Sequence, residues 1–124
     1  MHMKNYRVII AGGRSFNDYK LLAAKCDNIL AQKRNTHQIV VISGTARGAD
    51  TLGELYAQER GYELRQFPAD WDGLGNRAGY IRNCQMADNA DALIAFWDGK
   101  SPGTRHMIEI AHERHLAVRV INYL

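Results

Sequence analysis

Short apolar runs alternate along this chain with longer stretches of helical spacing. Tyr6-Arg7-Val8-Ile9-Ile10-Ala11 is β-branched and stops at Gly12-Gly13, which predicts a buried strand. Asn17 or Asp18 offers a cap for the next helix, expected to run to about Lys33. Its apolar residues Leu22, Cys26, Ile29 and Leu30 fall at the i, i+4, i+7, i+8 spacing of one buried face. Ile39-Val40-Val41-Ile42 predicts a second buried strand, ended by Ser43-Gly44. A helix follows from about Ala49 to Arg60, with Leu52, Leu55 and Tyr56 inward and Gly61 as its stop. Glu63-Leu64-Arg65-Gln66-Phe67 alternates like a sheet-edge strand, and Pro68 ends it. Ala69 to Gly79 carries glycines at 73, 75 and 79 and shows no period, so it reads as a functional or packing loop. A helix is expected from about Tyr80 to Asn89, then an apolar strand from Asp91 to Trp97. The last helical pattern, Arg105 to His115, turns Met107, Ile108 and Ala111 inward. Val118-Arg119-Val120-Ile121 closes the chain as a fifth strand.

Strands alternating with helices at this spacing give an α/β fold: a doubly wound, Rossmann-like parallel sheet with helices on both faces. Right-handed crossovers make a doubly wound sheet the natural result, and the expected strand order is 3-2-1-4-5 in one domain spanning residues 1–124. The switch point then lies between the first and fourth strands, and ligands of such sheets bind at the strands' C-terminal ends there. Three small-residue loops reach that edge: Gly12-Gly13-Arg14, Ser43-Gly44-Thr45, and Asp98 to Thr104. A strand, a small-residue loop and a helix present unpaired backbone N–H groups to an anion, and the helix dipole adds partial positive charge.

Composition narrows the class without changing the fold. The 124 residues are 46% apolar and 23% charged, with a net charge of +3, the balance of an ordinary globular domain. No run approaches a membrane span and no signal peptide is visible, which points to a cytoplasmic protein with no membrane partner. Met1-His2 before Met3 reads as a cloning scar, with Met3 as the natural start. The two cysteines, Cys26 and Cys84, fall on expected helices and read as free thiols of a reducing compartment. The mildly basic charge forms no dense Lys/Arg stripe, which weighs against nucleic acid as a partner. His106, His112 and His115 lack an i, i+4 pair and a third ligand. They read as surface residues, so no metal and no cofactor is expected.

The loops themselves narrow the chemistry. The first has no G-x-G-x-x-G and the second strand ends in Ser43 rather than an acid, so neither is an NAD fingerprint. A P-loop string is absent too. Arg14 suits bidentate pairing with a phosphate. Ser43-Gly44-Thr45-Ala46-Arg47-Gly48-Ala49-Asp50 is the most specific string, a phosphate cradle between strand and helix. Asp50 sits in the first helical turn; it either favours the dipole, accepts ribose hydroxyls or holds Arg47. Arg82-Asn83, near a helix start, would reach a phosphate or ribose. Asp70 and Trp71 follow the third strand, and Trp71 or Trp97 could stack on a base or simply pack. Gly99 and Gly103 permit close approach to the last loop, and Thr104 offers a cap or a hydroxyl.

Val8 to Arg14, Ser43 to Asp50, Phe67-Pro68-Ala69-Asp70-Trp71, Ile81-Arg82-Asn83 with Met86-Ala87, and Ala95-Phe96-Trp97-Asp98-Gly99 with Gly103-Thr104 resemble the YspA/YpsA-related branch of the SLOG superfamily. The resemblance spans nearly the whole chain, in order. It implies a Rossmann-like domain that senses or processes nucleotides and nucleotide-derived ligands such as ADP-ribose derivatives. Relatives in the superfamily include the LOG phosphoribohydrolases and the DNA-processing protein DprA. LOG enzymes carry P-G-G-x-G-T-x-x-E. Here Gly103-Thr104 is kept, Met107 holds the glutamate's place, and the first glutamate is Glu109. Thr45 stands where a second glycine is usual, so tighter packing is expected there.

The expected function is therefore binding of a phosphate-bearing nucleotide derivative. Gly12, Gly13, Arg14, Ser43, Gly44, Thr45, Arg47, Gly48, Asp50, Asp70, Trp71, Arg82, Asn83, Trp97, Asp98, Gly99, Gly103 and Thr104 are its candidate contacts. One alternative is a LOG-like enzyme cleaving an N-glycosidic bond, with Asp98, Asp50 or Glu109 as carboxylate. The other is DprA-like DNA binding. Tyr80, Met86 and Tyr56 suggest more apolar helix surface than one sheet needs, hence a homodimer or larger homo-oligomer.

Overall fold

The structure, a computed structural model, describes residues 3–123; Met1-His2, read above as a scar, lies outside them. Five strands form one parallel sheet: β1 (Lys4–Gly12), β2 (His37–Ser43), β3 (Glu63–Gln66), β4 (Ala92–Trp97) and β5 (Ala117–Asn122). Their order is β3-β2-β1-β4-β5, as expected, and every neighbouring pair is parallel. The apolar runs are continuous because both faces of the sheet are covered. Val8 and Ile10 of β1 meet Leu22 and Cys26 of α1 (Tyr19–Leu30) and Tyr56 of α3 (Ala49–Arg60). Ile9 and Ala11 point the other way, onto Met86 of α5 (Ala78–Asp88) and Met107 of α6 (Pro102–Glu113). The crossovers therefore change face between β1 and β4, where Gly12 pairs with Phe96.

Several boundaries differ from the sequence reading. Asp18 is the cap of α1, accepting from Leu21 N–H at 3.0 Å. The helix stops at Leu30 rather than Lys33, because Gln32 to Thr36 offers no apolar side chain to bury; a single turn, α2 (Lys33–Thr36), follows. In α3 the buried residues are Ala49, Asp50, Gly53, Tyr56 and Ala57, and Leu55 lies outside that stripe, exposed. Gly61 ends α3 in the left-handed conformation at φ 71°, as a glycine stop should. The expected loop after β3 is instead folded into α4 (Trp71–Leu74), a 3₁₀ turn (Gly75–Arg77) and the start of α5. Asp70 caps α4 through Gly73 N–H at 2.9 Å. A short-range cap thus ordered a stretch whose glycines hid the helical tendency. Pro102 occupies the first position of α6, three residues before the expected start, where its missing N–H costs nothing.

Tyr56 and Met86 are core residues, which removes most of the apolar surplus behind the expected association; Tyr80 alone of the three is exposed. Both cysteines are free, Cys26 in the core and Cys84 half-buried. Among the described residues no helix is long and apolar enough to cross a membrane.

Candidate functional site

The three loops meet at the C-terminal edge of the sheet, but they are not equivalent. Gly13 N–H donates to Phe96 O at 3.1 Å, and Gly13 O accepts from Ala49 N–H at 3.2 Å and Phe16 N–H at 3.3 Å. The first N–H of α3 is therefore spent on the β1 loop. Gly48 makes this close packing feasible: its φ is 76°, and a Cβ there would lie 2.2 Å from Gly13 O. The second loop is likewise closed on itself. Ser43 Oγ donates to Glu54 Oε2 at 2.7 Å and accepts from Thr45 N–H at 3.0 Å, while Thr51 Oγ1 donates to Ala46 O at 2.9 Å. Thr45 is not the tightly packed residue expected at the missing glycine; it is exposed, with φ 64°.

The third loop leaves its helix open. Asp98 Oδ1 accepts the N–H groups of Lys100 and Ser101, both at 2.8 Å, and these bonds hold its carboxyl below the usual range. Trp97 Nε1 donates to Ser101 O at 3.2 Å, and Arg105 lies over the Trp97 ring. Both side chains thus build the loop. The helix it feeds, α6, has no side-chain cap and no acid in its first turn. Pro102 has no N–H, and no protein acceptor among the described residues meets the N–H groups of Gly103 and Thr104. This is the open, uncapped helix start that the strand-loop-helix pattern implied.

That end opens on a pocket of about 550 Å³. The β1 loop contributes Arg14 to its wall and the second loop Ala46 and Asp50. The segment from Trp71 to Arg82 forms the opposite side, and Pro102 to Thr104 the end. Arg82 is locked in place: Nε donates to Asn83 Oδ1 at 3.2 Å and Nη1 donates to Gly44 O. A Cβ on Gly44 would come within 2.8 Å of that Nη1. Burial lowers the Arg82 pKa, countered by the charge of Asp50. Asn83 is buried and donates through Nδ2 to Gly103 O at 3.2 Å, with His106 Nδ1 also at 3.2 Å. Because Asn83 Oδ1 takes the Arg82 donor, Nδ2 faces His106, whose Nδ1 must then be the acceptor. Asn83 thereby joins α5 to the open end of α6. His106, read as a surface residue, is half-buried and packs edge-on against Tyr80.

Asp50 is 5% exposed. Its Oδ2 accepts from Ala46 N–H at 3.1 Å. Burial pushes its carboxyl up to about 6, against the opposing pull of that N–H, Arg82 and Arg14; Glu54 adds to the rise. It does not hold Arg47, which is exposed and outside the pocket wall.

Of the sequence candidates, Gly12, Gly13, Arg14, Asp50, Trp71, Arg82, Asn83, Gly103 and Thr104 line the pocket. Ser43, Gly44, Thr45, Gly48, Asp70, Trp97, Asp98 and Gly99 stand behind it in the loops, and Glu109 is exposed on α6. Asp50 is thus the one carboxylate among the lining residues. Sequence reasoning missed Tyr80 and Asn76 as lining residues; an aromatic followed closely by Arg82-Asn83 was the available signal. Trp71 and Tyr80 are 50% and 48% exposed, two aromatic faces at the pocket mouth. Among the described residues no group of three or more His, Cys, Asp or Glu side chains could hold a metal ion.

The model of the YspA, cpYpsA-related SLOG family matches residues 6–73, which carry β1, the Ser43–Asp50 loop, α3 and Trp71. The chain belongs to that family. It is 34% identical over 124 residues to the Gene 61 protein of Mycobacterium phage D29, across 94% of this chain and 95% of that protein. Among solved structures it resembles DprA of Streptococcus pneumoniae, with a TM-score of 0.73 and 17% identity over 98% of this chain. It spans about half of that protein, 51% of its chain. DprA of Helicobacter pylori, described for its single-stranded DNA binding mode, gives a TM-score of 0.68 and 19% identity, over 96% of this chain and 66% of that one. At these identities the DprA likeness is one of fold.

Proposed function

We propose that the pocket binds a phosphate-bearing, nucleotide-derived small molecule of the ADP-ribose type, as a binding or sensing module. The observation that carries this reading is the uncapped first turn of α6, which opens on the same cavity as Arg14 and the anchored Arg82. Two guanidinium groups and free backbone N–H groups suit a phosphate. Trp71 and Tyr80 at the mouth suit a base, and about 550 Å³ is the scale of a small-molecule site. Calorimetry against AMP, ADP-ribose, cyclic ADP-ribose isomers and NAD tests it. At least one member binds, and Arg14→Ala weakens that binding by about 10- to 100-fold, the loss of one charge-assisted bond. His112→Ala, exposed on α6 and away from the cavity, leaves it unchanged. Binding unaffected by Arg14→Ala would place the ligand elsewhere.

One observation favours an enzymatic reading. Asp50 is a pocket carboxylate raised to about 6, and a general acid or base works best near neutrality. Of the three expected carboxylates, Asp98 is held by its own loop and Glu109 lies outside the pocket, so Asp50 is the one kept as candidate for N-glycosidic cleavage. Chromatography of the panel after prolonged incubation separates turnover from binding. DNA binding of the DprA kind rests on the fold likeness and is tested by a gel shift across salt concentrations.

A further inference from the structure

The least explained group in the pocket is half of one carboxylate. Asp50 is 5% exposed, and its Oδ2 takes the Ala46 N–H at 3.1 Å. No donor among the described residues reaches Oδ1, although the residue lines the cavity. Nor does Arg82 pair with it: no ion pair forms between them within 4.0 Å, and the guanidinium is turned to Gly44 O and Asn83 Oδ1 instead. Oδ1 is not one of the fully enclosed atoms left without a partner, so it faces the cavity, where a ligand or water can reach it. Oδ1 is thus an acceptor open to whatever donor a bound molecule brings.

The surroundings restrict that donor. Arg14 and Arg82 share the pocket wall, so a metal ion or an ammonium group would enter against two positive charges, with no second acid to help. A neutral hydroxyl or amino group remains. The exposed aromatics that would take a base stand at the mouth, whereas Asp50 is buried deep in the wall. The group between a stacked base and a bound phosphate is the sugar. We propose that Asp50 accepts a ribose hydroxyl through Oδ1 and makes this site selective for ribonucleotides over their deoxy counterparts. The inference rests on the reading of the pocket as a nucleotide site and adds the sugar to it. A deoxy ligand would seal Oδ1 away from water without replacing its hydrogen bond, the situation in which a polar site discriminates strongly.

Calorimetry with the full chain compares AMP with 2′-deoxy-AMP and 3′-deoxy-AMP. The wild type is expected to bind AMP about 10- to 100-fold more tightly than at least one deoxy form. Asp50→Asn, which retains an acceptor for Ala46 N–H, should bring that ratio below about 3-fold while a thermal melt shows the fold intact. Equal binding of all three by the wild type overturns the inference and leaves the nucleotide reading standing; this arm needs no variant. A preference that survives intact in Asp50→Asn overturns it as well. Failure of all three, and of the ADP-ribose panel, to bind at millimolar concentration removes both.

Discussion

Thr45 is a β-branched residue held at φ 64°, where the side chain crowds its own backbone. It is exposed, and its N–H is fixed to Ser43 Oγ at 3.0 Å, so the loop rather than the side chain sets the angle. Thr45→Gly should therefore stabilise the protein by about 1 kcal/mol, read as a higher urea midpoint at unchanged slope. A lower midpoint would show that the threonine contributes a contact outweighing the strain. Asp50 carries a related cost in charge. Its folded pKa lies above the unfolded value, so the native state holds the proton at pH values where the unfolded chain has lost it. Stability from this group is then greatest near pH 4 and declines as pH rises to about 6. The charges facing it are Arg14 in the β1 loop, Arg82 on α5 and Glu54 on its own helix. Asp50→Asn should melt higher than wild type at pH 7.5, by roughly 1–3 kcal/mol, with the difference shrinking towards pH 4. A variant less stable at pH 7.5 would mean that the carboxylate is held by attraction and not merely tolerated.

Two helices of this fold begin at the same sheet edge with glycine nearby, and their N-termini have opposite fates. In α3 the first N–H meets Gly13 O, and Gly48 is pressed against the β1 loop. In α6 a Cβ added to Gly103 would meet nothing within 4 Å. The two glycines should therefore respond differently to substitution. Gly48→Ala forces a side chain into Gly13 O at an unfavourable φ, and should destabilise by roughly 2–4 kcal/mol. Gly103→Val should keep the melting temperature within a few degrees, yet abolish binding of any ligand whose anion sits on that turn. Thermal melts and titrations of the same two variants check both halves. A Gly103→Val protein that binds normally would remove α6 from the site.

At the scale of the molecule, alternate residues of the same strands feed two apolar layers: Val8, Ile10 and Ile94 on one side, Ile9, Leu93 and Ala95 on the other. Neither layer can come apart without exposing the backs of strands that the other needs. Side-chain ties also span distant segments. Arg7 makes two bonds of 3.1 Å to Asp91, between the starts of β1 and β4. Asp27 of α1 accepts from Tyr56 Oη at 2.7 Å and from Arg60 Nε at 3.0 Å, both on α3. Urea unfolding should then be one transition, coincident by far-ultraviolet circular dichroism and by tryptophan fluorescence. Two separated transitions would show that the layers, or the Trp71 segment beside them, melt independently.

The strand order and the burial of the apolar strand runs were legible in the sequence; the inward face of α3 was not, since Leu55 is exposed. Continuous β-branched runs, alternating with helical spacing, admit few arrangements once crossovers are right-handed. The family was legible in the same way, because Ser43 to Asp50 is a local string. Asp98 was read from local chemistry as a loop carboxylate able to contact a ligand or act in cleavage. Its partners, Lys100 and Ser101 N–H, follow within three residues, yet nothing in the string says which way the oxygens turn. The segment from Ala69 to Gly79 hid its helical turns because glycine propensity was overruled by the Asp70 cap and by Trp71 lying against Gly79. Only the tertiary structure could decide which of two similar helix starts stays open. That depends on whether a carbonyl from a distant loop arrives: Gly13 O reaches Ala49 N–H, and among the described residues no acceptor reaches Gly103 N–H. The burial of Asp50, and the turning of Arg82 away from it toward Gly44 and Asn83, come from the same long-range packing. Local sequence fixes which groups are present, while the partners each finds are set by segments far away along the chain.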